Sequence, residues 1–245
     1  MTSPARLDER KHALFLDFDG TLADIAPRPD AVRLDSAIPP ALSRLQQKLD
    51  GALALITGRP MDDIDGLLAP LRLPAAYEHG AVRRLASGEV LRAMAPELAD
   101  LRAVARQLVK QYPALLLEEK SASLALHFRQ APELEAVCRS AFTSLLGERP
   151  DLKLLQGKAV MEIKSASVHK GMAIAAFMQQ PPFRGRVPVF AGDDVTDEAG
   201  FASAQQMGGL GIKVGEGPTM ATMRLPDPLA LRQWLTDNAR DDHTA

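Results

Sequence analysis

The sequence has little cysteine, no long apolar run and almost no excess charge. Its one cysteine, Cys138, cannot form an intramolecular disulfide, which indicates a reducing compartment. No apolar run approaches the roughly 18 residues of a membrane span, and residues 1–11 lack the apolar core of a signal peptide. A formal net charge of −2 excludes a strongly basic, polyanion-binding surface. We therefore expect a cytoplasmic protein with no membrane or nucleic-acid partner.

What the sequence does contain is an alternation of apolar, strand-like runs with helical patterns. The strand-like runs fall at residues 12–18, 52–57, 75–78, 187–191 and 209–214. The helical patterns fall at residues 40–49, 61–68, 169–178, 196–205 and 229–238. This alternation is typical of a parallel sheet covered on both faces, so an α/β fold is expected. Two short runs on either side of Ser87-Gly88 predict a hairpin.

The alternation changes in the middle of the chain, where one helix is followed by two strand-like runs and the pattern repeats. The helical runs are 97–111 and 132–146, and the strand-like runs are 114–119, 122–129, 152–156 and 159–164. This αββαββ order predicts a small α+β domain inserted into the parallel fold. We expect a core from residues 1–91 and 167–245 and an inserted domain from residues 92–166.

Strand periodicity predicts which side chains lie on the open face of the inserted domain. Side chains two residues apart on a strand point the same way, so Glu118 accompanies Lys120, and Glu162 accompanies Lys164. Their apolar neighbours are expected to face the helices. The charged pairs then lie on the uncovered face, which is either a solvated surface or a surface that binds a polar substrate.

Residues 14–22, LFLDFDGTL, are an apolar run that ends in two aspartates and a glycine turn. Such a run predicts a buried parallel strand, and ligands bind beyond the carboxyl ends of these strands. Asp17 and Asp19 would repel each other there, and a divalent cation is the simplest way to hold both. One carboxylate can then attack an electrophile while the other moves a proton. The alternative interpretation is a pair of turn-forming aspartates.

Further polar groups follow other apolar runs. Thr57, Gly58 and Arg59 end a second strand-like run, Lys170 opens a helical pattern, and His79 follows a third run. Arg59 is either a contact to phosphate or to the inserted domain, or a surface residue. A lone histidine is more often structural than catalytic, so His79 is expected to have at most a minor role on the substrate side.

Four elements in this order resemble the haloacid-dehalogenase superfamily of aspartyl phosphatases: the two aspartates, Thr57, Lys170 and an acidic loop at residues 193–198. The resemblance implies a Rossmann-like parallel-sheet core. It also implies that Asp17 is the nucleophile, and that Asp19 protonates the leaving group and then activates water. Thr57, the backbone N–H groups that follow it and Lys170 would neutralise the phosphoryl oxygens.

The expected cofactor is Mg²⁺, which prefers oxygen ligands. The predicted ligands are Asp17, Asp19 through its backbone carbonyl, Asp193, Asp194 and Asp197. The sequence does not decide between Asp194 and Asp197 as the direct ligand, and Asp197 alternatively positions Lys170.

Along nearly its whole length the chain resembles one family in this superfamily, the bacterial trehalose-6-phosphate phosphatases. The matching segments are 17–22 (DFDGTL), 50–59 (DGALALITGR), 79–81 (HGA), 125–129 (ALHFR), 161–164 (MEIK), 169–171 (HKG), 173–179 (AIAAFMQ) and 192–198 (GDDVTDE). The resemblance implies an αββαββ cap domain, Mg²⁺ dependence and hydrolysis of trehalose 6-phosphate. It also implies that the cap binds the distal glucose through Glu118, Lys120 and Glu162.

One segment departs from the family pattern. Residues 165–167 read Ser-Ala-Ser where the family often has Pro-Arg-Gly. The contact made by that arginine is then absent or supplied by Arg59 or Arg129, and Lys164 matches the family less securely than Glu162.

Two alternatives stay open at this point. One is a capped phosphatase for another sugar phosphate, such as sucrose 6-phosphate or mannosyl-glycerate phosphate. The other is a non-catalytic homologue that binds the sugar phosphate without hydrolysing it. A monomer or weak dimer that acts on a small-molecule substrate is expected in either case.

Overall fold

The strand that precedes the two aspartates lies in the middle of an eight-stranded sheet. A computed structural model of the chain describes residues 4–26, 31–93, 97–119, 123–147, 149–157 and 159–240, without the side chain of Leu145. Strand β1 (His12–Leu16) pairs in parallel with β2 (Leu53–Ile56) on one side and with β10 (Val187–Gly192) on the other. Apart from the partly buried His12, the residues of β1 and β2 are apolar and almost completely buried, as expected for parallel strands covered on both faces.

The rest of this sheet continues the parallel arrangement and ends in a hairpin. Its other strands are β3 (Ala75–Tyr77), β4 (Val82–Arg84), β5 (Val90–Arg92), β11 (Leu210–Val214) and β12 (Met223–Leu225). The order is β12-β11-β10-β1-β2-β3-β4-β5, and only the pairs β3–β4 and β4–β5 are antiparallel. The hairpin predicted around Ser87-Gly88 is therefore confirmed.

Within the described residues, five α-helices belong to the same unit as this sheet. They are α1 (Ile38–Lys48), α2 (Met61–Leu68), α5 (Lys170–Met178), α6 (Glu198–Gln206) and α7 (Pro228–Ala239). Phe177 of α5 lies 6.1 Å from Phe15 of β1 between ring centroids, so this helix covers the centre of the sheet. The start of α5 is defined by His169, whose side chain accepts a hydrogen bond from the backbone N–H of Met172.

The inserted residues form a second compact unit with its own core. This unit runs from Ala93 to Val168, and the other unit comprises the residues up to Arg92 and from His169. Its elements are α3 (Ala99–Gln111), β6 (Leu116–Glu119), β7 (Ser123–His127), α4 (Glu135–Leu146), β8 (Leu152–Gln156) and β9 (Val160–Ser165). The four strands form an antiparallel sheet in the order β6-β7-β9-β8. Leu124, Leu126 and Ile163 belong to the buried core of the unit, which also includes residues of both helices.

The predicted fold class, an α/β core with an αββαββ insertion, is confirmed. One strand of the core, β12, was not predicted, because its three residues Met-Arg-Leu are not part of a longer apolar run. Within the part of the chain that the structure describes, none of the helices has the length and apolarity to cross a membrane.

Candidate active site

The two strand ends that carry acidic residues meet at one edge of the sheet. The backbone N–H of Asp17 donates to the carbonyl oxygen of Ala191 at 2.9 Å, which continues the β1–β10 ladder by one residue. Asp17 is only 4% exposed, and Asp193 follows the last residue of β10. The parallel register therefore brings together the carboxylates of Asp17 and Asp193, which are 176 positions apart in the sequence.

Lys170, the first residue of α5, lies between two of the carboxylates. Its Nζ is 2.6 Å from Oδ1 of Asp17 and 2.6 Å from Oδ1 of Asp197. The Lys170 side chain is 3% exposed and Asp197 is completely buried. Burial opposes the positive charge, but the Asp17 and Asp197 carboxylates outweigh it and raise the pKa of Lys170 above its ordinary value. Lys170 is therefore a protonated bridge between the end of β1 and the acidic loop.

The acidic loop after β10 is organised around Asp197. Oδ2 of Asp197 accepts hydrogen bonds from the backbone N–H groups of Asp193, at 3.0 Å, and Asp194, at 2.9 Å. Asp194 instead accepts from the N–H of Val195 at 2.7 Å and caps the turn there. Both oxygens of Asp197 are thus engaged within the protein, one by Lys170 and one by the loop backbone.

The structure brings three carboxylates close enough to share a metal ion. Asp17, Asp193 and Asp197 each offer one oxygen within 4.8 Å of the others. Thr21 joins two of them, because its hydroxyl lies 3.2 Å from Oδ2 of Asp17 and 3.2 Å from Oδ1 of Asp193. Gly20 has φ of +77°, and a Cβ there would collide with the Asp193 carboxylate, so this position requires glycine.

The electrostatics of this cluster fit a bound divalent cation. Lys170 compensates only one of the three carboxylate charges. Burial and the charge of Asp197 hold the pKa of Asp17 well above its ordinary value. Burial, followed by the charge of Asp197, raises the pKa of Asp193 to about 6. Carboxylate oxygens that repel one another in a buried site are the donors that hard divalent cations prefer.

Thr57 and Gly58 lie at the same edge of the sheet, after β2. The N–H of Thr57 donates to Ala76 at 2.8 Å, and its buried hydroxyl accepts from the N–H of Arg59 at 3.1 Å. The ring of His79 packs against Gly58, where a Cβ would lie 2.8 Å from two ring atoms. His79 has φ of +58°, and its N–H donates to the carbonyl oxygen of Thr57 at 2.8 Å. His79 thus supports the turn that holds Thr57.

Arg59 pairs with the second aspartate of the DxD run. Its Nε and Nη2 each lie 2.7 Å from an oxygen of Asp19, which makes a bidentate ion pair. The guanidinium carbon also lies 5.8 Å from the centroid of the Phe18 ring. The structure therefore joins Asp19 to Arg59, and among the described residues the carboxylate cluster of Asp17, Asp193 and Asp197 does not include its side chain.

The predicted open face of the inserted sheet carries a row of residues at one level. The register pairs Glu118 with Ala125 and Ala125 with Glu162, so these three side chains share a face. His127 Nε2 lies 2.9 Å from Glu118 Oε2, and the Ser123 hydroxyl donates to Glu162 at 2.6 Å.

Two lysines, Lys120 and Lys164, were also predicted on this face. Lys164 lies opposite Ser123 on the predicted face, but it is buried, so the prediction of an uncovered side chain is wrong for this residue. Lys120 lies outside the described residues.

Thr21, Ser123, His127 and Lys213 were not singled out from the sequence. Thr21 had a signal, since it stands four positions after Asp17 in the same run. Lys213 had a weaker one, a lysine between Ile212 and Val214 in a buried strand. The Nζ of Lys213 donates to the backbone carbonyl oxygen of Asp193. For His127 the sequence held no signal beyond its two-residue spacing from Ala125.

The fold and the position of the carboxylates define a class of protein. The structure of a phosphatase of the haloalkanoate dehalogenase (HAD) superfamily from Bacteroides thetaiotaomicron is similar to this chain with a TM-score of 0.66 and 17% identity, over 96% of this chain and 97% of that one. The fold is therefore that of the HAD phosphatases. A solved structure described as a trehalose-6-phosphate phosphatase related protein is similar with a TM-score of 0.75 and 26% identity, over 92% and 96% of the two chains.

The sequence narrows this class to a family. The trehalose-phosphatase family model matches residues 15–228. The trehalose-6-phosphate phosphatase of Escherichia coli K12 is 43% identical over 246 residues, which cover 95% of this chain and 92% of that protein. The chain belongs to the trehalose-phosphatase family, a family of phosphatases.

Proposed function

We propose that this protein is a Mg²⁺-dependent phosphatase that hydrolyses trehalose 6-phosphate to trehalose and phosphate. The observation that carries the proposal is the buried cluster of Asp17, Lys170, Asp193 and Asp197 at the carboxyl edge of the sheet, in a chain that is 43% identical to a trehalose-6-phosphate phosphatase. The single cysteine supports the further proposal that the enzyme works in the cytoplasm, and we propose a monomer or weak dimer.

In the proposed reaction, a carboxylate oxygen of Asp17 attacks the phosphorus atom and the bond from phosphorus to the sugar oxygen breaks. Asp19 gives a proton to the departing sugar oxygen. It then takes a proton from a water molecule, which attacks the aspartyl-phosphate and releases phosphate and free Asp17. Because Arg59 engages both oxygens of Asp19, this pair has to loosen before Asp19 transfers a proton.

The remaining core residues hold the phosphoryl group and the metal in this proposal. Thr57, the N–H of Gly58 and Lys170 are assigned to the phosphoryl oxygens, while the N–H of Arg59 donates to the Thr57 hydroxyl and orients it. Mg²⁺, when bound, would neutralise charge on the transferring group.

Asp17, Asp193 and the backbone carbonyl of Asp19 are the proposed metal ligands. Asp197 is the better candidate for positioning Lys170, since both of its oxygens are already hydrogen-bonded. Asp194 is exposed and caps a turn, which supports a ligand role less well.

We assign residues 1–91 and 167–245 to catalysis and residues 92–166 to recognition of the sugar. Glu118 and Glu162 stand on either side of Ala125 on one face of the sheet, so this face carries two carboxylates that can accept hydrogen bonds. Lys120 and Lys164 are assigned to the same surface, and His79 to a minor contact on the substrate side. A polar face of this kind suits the many hydroxyl groups of a disaccharide.

The proposed function is tested by measuring phosphate release from a small panel of substrates. Trehalose 6-phosphate should be hydrolysed with a kcat/KM at least about tenfold above that for sucrose 6-phosphate, mannosyl-glycerate phosphate and glucose 6-phosphate. EDTA should abolish release and added Mg²⁺ should restore it. Preference for another substrate would favour the alternative capped phosphatase. Binding of trehalose 6-phosphate without any release would favour the non-catalytic homologue.

The role of the open face is tested by comparing a large and a small substrate. Glu118→Gln and Glu162→Gln should each lower kcat/KM for trehalose 6-phosphate by about ten- to a hundredfold, because a sugar hydroxyl loses a charged partner. Hydrolysis of p-nitrophenyl phosphate, which has no sugar, should stay within about twofold of wild type.

The neighbouring Glu119 provides a matched control. Its carboxylate is on the opposite side of β6 and pairs with Arg102 and Arg106 of α3, each at 2.9 Å. Glu119→Gln should therefore leave the ratio of the two activities unchanged. If Glu118→Gln lowers both activities equally, that residue acts through folding of the domain and the recognition role is wrong.

A further inference from the structure

A buried lysine on β11 contacts the acidic loop independently of Lys170. Lys213 is level with Gly192, the last residue of the neighbouring strand β10, and is only 5% exposed. A lysine this deeply buried requires a partner for its ammonium group. Its Nζ donates to the backbone carbonyl oxygen of Asp193, the residue that follows β10.

This contact completes the restraint of the Asp193 backbone. The N–H of Asp193 donates to Oδ2 of Asp197 at 3.0 Å, and its carbonyl oxygen accepts from Lys213. With both polar groups of this residue held, the direction of its side chain is restricted. The Asp193 carboxylate is thereby kept within reach of Thr21 and Asp17.

We propose that Lys213 is a positioning residue for the divalent-cation site and acts through the backbone of Asp193. The inference rests on the proposed function, because it takes Asp193 as a ligand of Mg²⁺. Residues that orient metal ligands without touching the metal commonly change metal affinity by about ten- to a hundredfold when they are replaced. Lys213 has the contact that such a role requires.

The direction in which Mg²⁺ affinity changes when Lys213 is replaced distinguishes a positioning role from a purely electrostatic one. An ammonium group near a cation site repels the cation, so loss of its charge alone should tighten Mg²⁺ binding. Loss of a hydrogen bond that orients Asp193 should weaken binding instead. A purely structural lysine would lower thermal stability and leave the affinity of the folded protein for Mg²⁺ unchanged.

The experiment measures the Mg²⁺ dissociation constant of the metal-free full-length protein by calorimetry, and checks it by the dependence of Tm on Mg²⁺ concentration. Lys213→Met removes the donor, and Lys213→Arg keeps both donor and charge. Lys48→Met is the matched control, since Lys48 also donates to backbone carbonyl oxygens, at 2.8 Å to Arg240 and 3.1 Å to Asn238, but contacts the end of α7 and not the acidic loop.

Lys213→Met should raise the dissociation constant at least about tenfold, and its activity should recover at high Mg²⁺ concentration. Lys213→Arg should stay within about threefold of wild type, and Lys48→Met should lower Tm with no change in Mg²⁺ affinity. Should Lys213→Met fail to fold, Lys213→Gln, which is shorter and neutral, is held to the same tenfold criterion.

An unchanged or lower dissociation constant for Mg²⁺ in folded Lys213→Met, or in Lys213→Gln if it is used instead, would overturn this inference and leave the proposed function intact. Wild-type protein that binds no Mg²⁺ would overturn the proposed metal dependence itself, and the inference with it.

Discussion

Asp17→Asn should abolish phosphate release from trehalose 6-phosphate and from p-nitrophenyl phosphate alike. Asparagine keeps the size of the side chain and an oxygen that accepts from Lys170, but it cannot form the phosphoenzyme. Loss of a nucleophile commonly lowers kcat by at least about three orders of magnitude. Tm in EDTA should be equal to or above that of wild type, because burial and Asp197 already disfavour the Asp17 charge and hold its pKa high, and Lys170 keeps Asp197 as its partner.

Asp24 offers a control in the same loop. Its carboxylate is exposed and pairs with Arg232 of α7 at 3.2 Å, outside the carboxylate cluster. Asp24→Asn should therefore retain activity within about twofold of wild type. Turnover of Asp17→Asn within tenfold of wild type would show that Asp17 is not the nucleophile.

Lys170→Met should strongly destabilise the protein when no metal is bound. The change removes the ammonium group 2.6 Å from two buried carboxylates and leaves both without it. Removing one partner from a buried ion pair costs about 3–5 kcal/mol in the free energy of unfolding. For a chain of this size each kcal/mol corresponds to about 2–4 °C, so Tm in EDTA should fall by about 6–20 °C. Catalytic activity should be lost as well, because Lys170 is assigned to the phosphoryl group.

Two further measurements distinguish loss of the Lys170 ion pairs from a general loss of packing as the cause of the lower Tm. Burial and the charge of Asp197 hold the pKa of Asp17 above that of the unfolded chain, so the stabilising protonation of Asp17 is complete below pH of about 4 and is lost as pH rises. The Tm difference from wild type should therefore be larger at pH 8 than at pH 5. Adding Asp197→Asn should recover part of the stability but not the activity. A Tm within about 2 °C of wild type at pH 8 would contradict the ion-pair interpretation.

Most of the fold follows from patterns that are local in the sequence. Helix α2 and strand β8 begin and end at the predicted residues, and most other elements differ by one to three positions. Apolar runs that end in glycine or aspartate define the buried strands, since a buried backbone needs partners and a turn needs special residues. The two-residue repeat on β6 and β9 likewise predicts that Glu118 and Glu162 lie on one face, and the register of the sheet confirms it. β12 was missed because its three residues alternate Met-Arg-Leu and are not part of a longer apolar run.

The candidate site could be predicted only in part. The sequence predicts that three site residues each follow a buried parallel strand: Asp17, Thr57 and Asp193. They were therefore expected at one edge of the sheet, because the carboxyl ends of such strands meet there. Their catalytic and metal-binding roles stay predictions. The partners of individual side chains could not be predicted from the sequence. Arg59 is an example: the sequence allowed either a ligand contact or a surface position, whereas the structure pairs it with Asp19.

Apart from β12, the sequence by itself determined the succession of strands and helices along the chain, the inserted αββαββ unit and the strand ends that carry acidic groups. The tertiary structure alone decided that Asp197 faces Lys170 while Asp194 caps a turn, that Thr21 joins Asp17 to Asp193, and that Lys213 reaches the Asp193 carbonyl. The physical reason is one of range. Periodicity and turn chemistry act over a few residues, whereas these contacts depend on strand order and register, which join residues as far apart in the chain as Asp17 and Lys170.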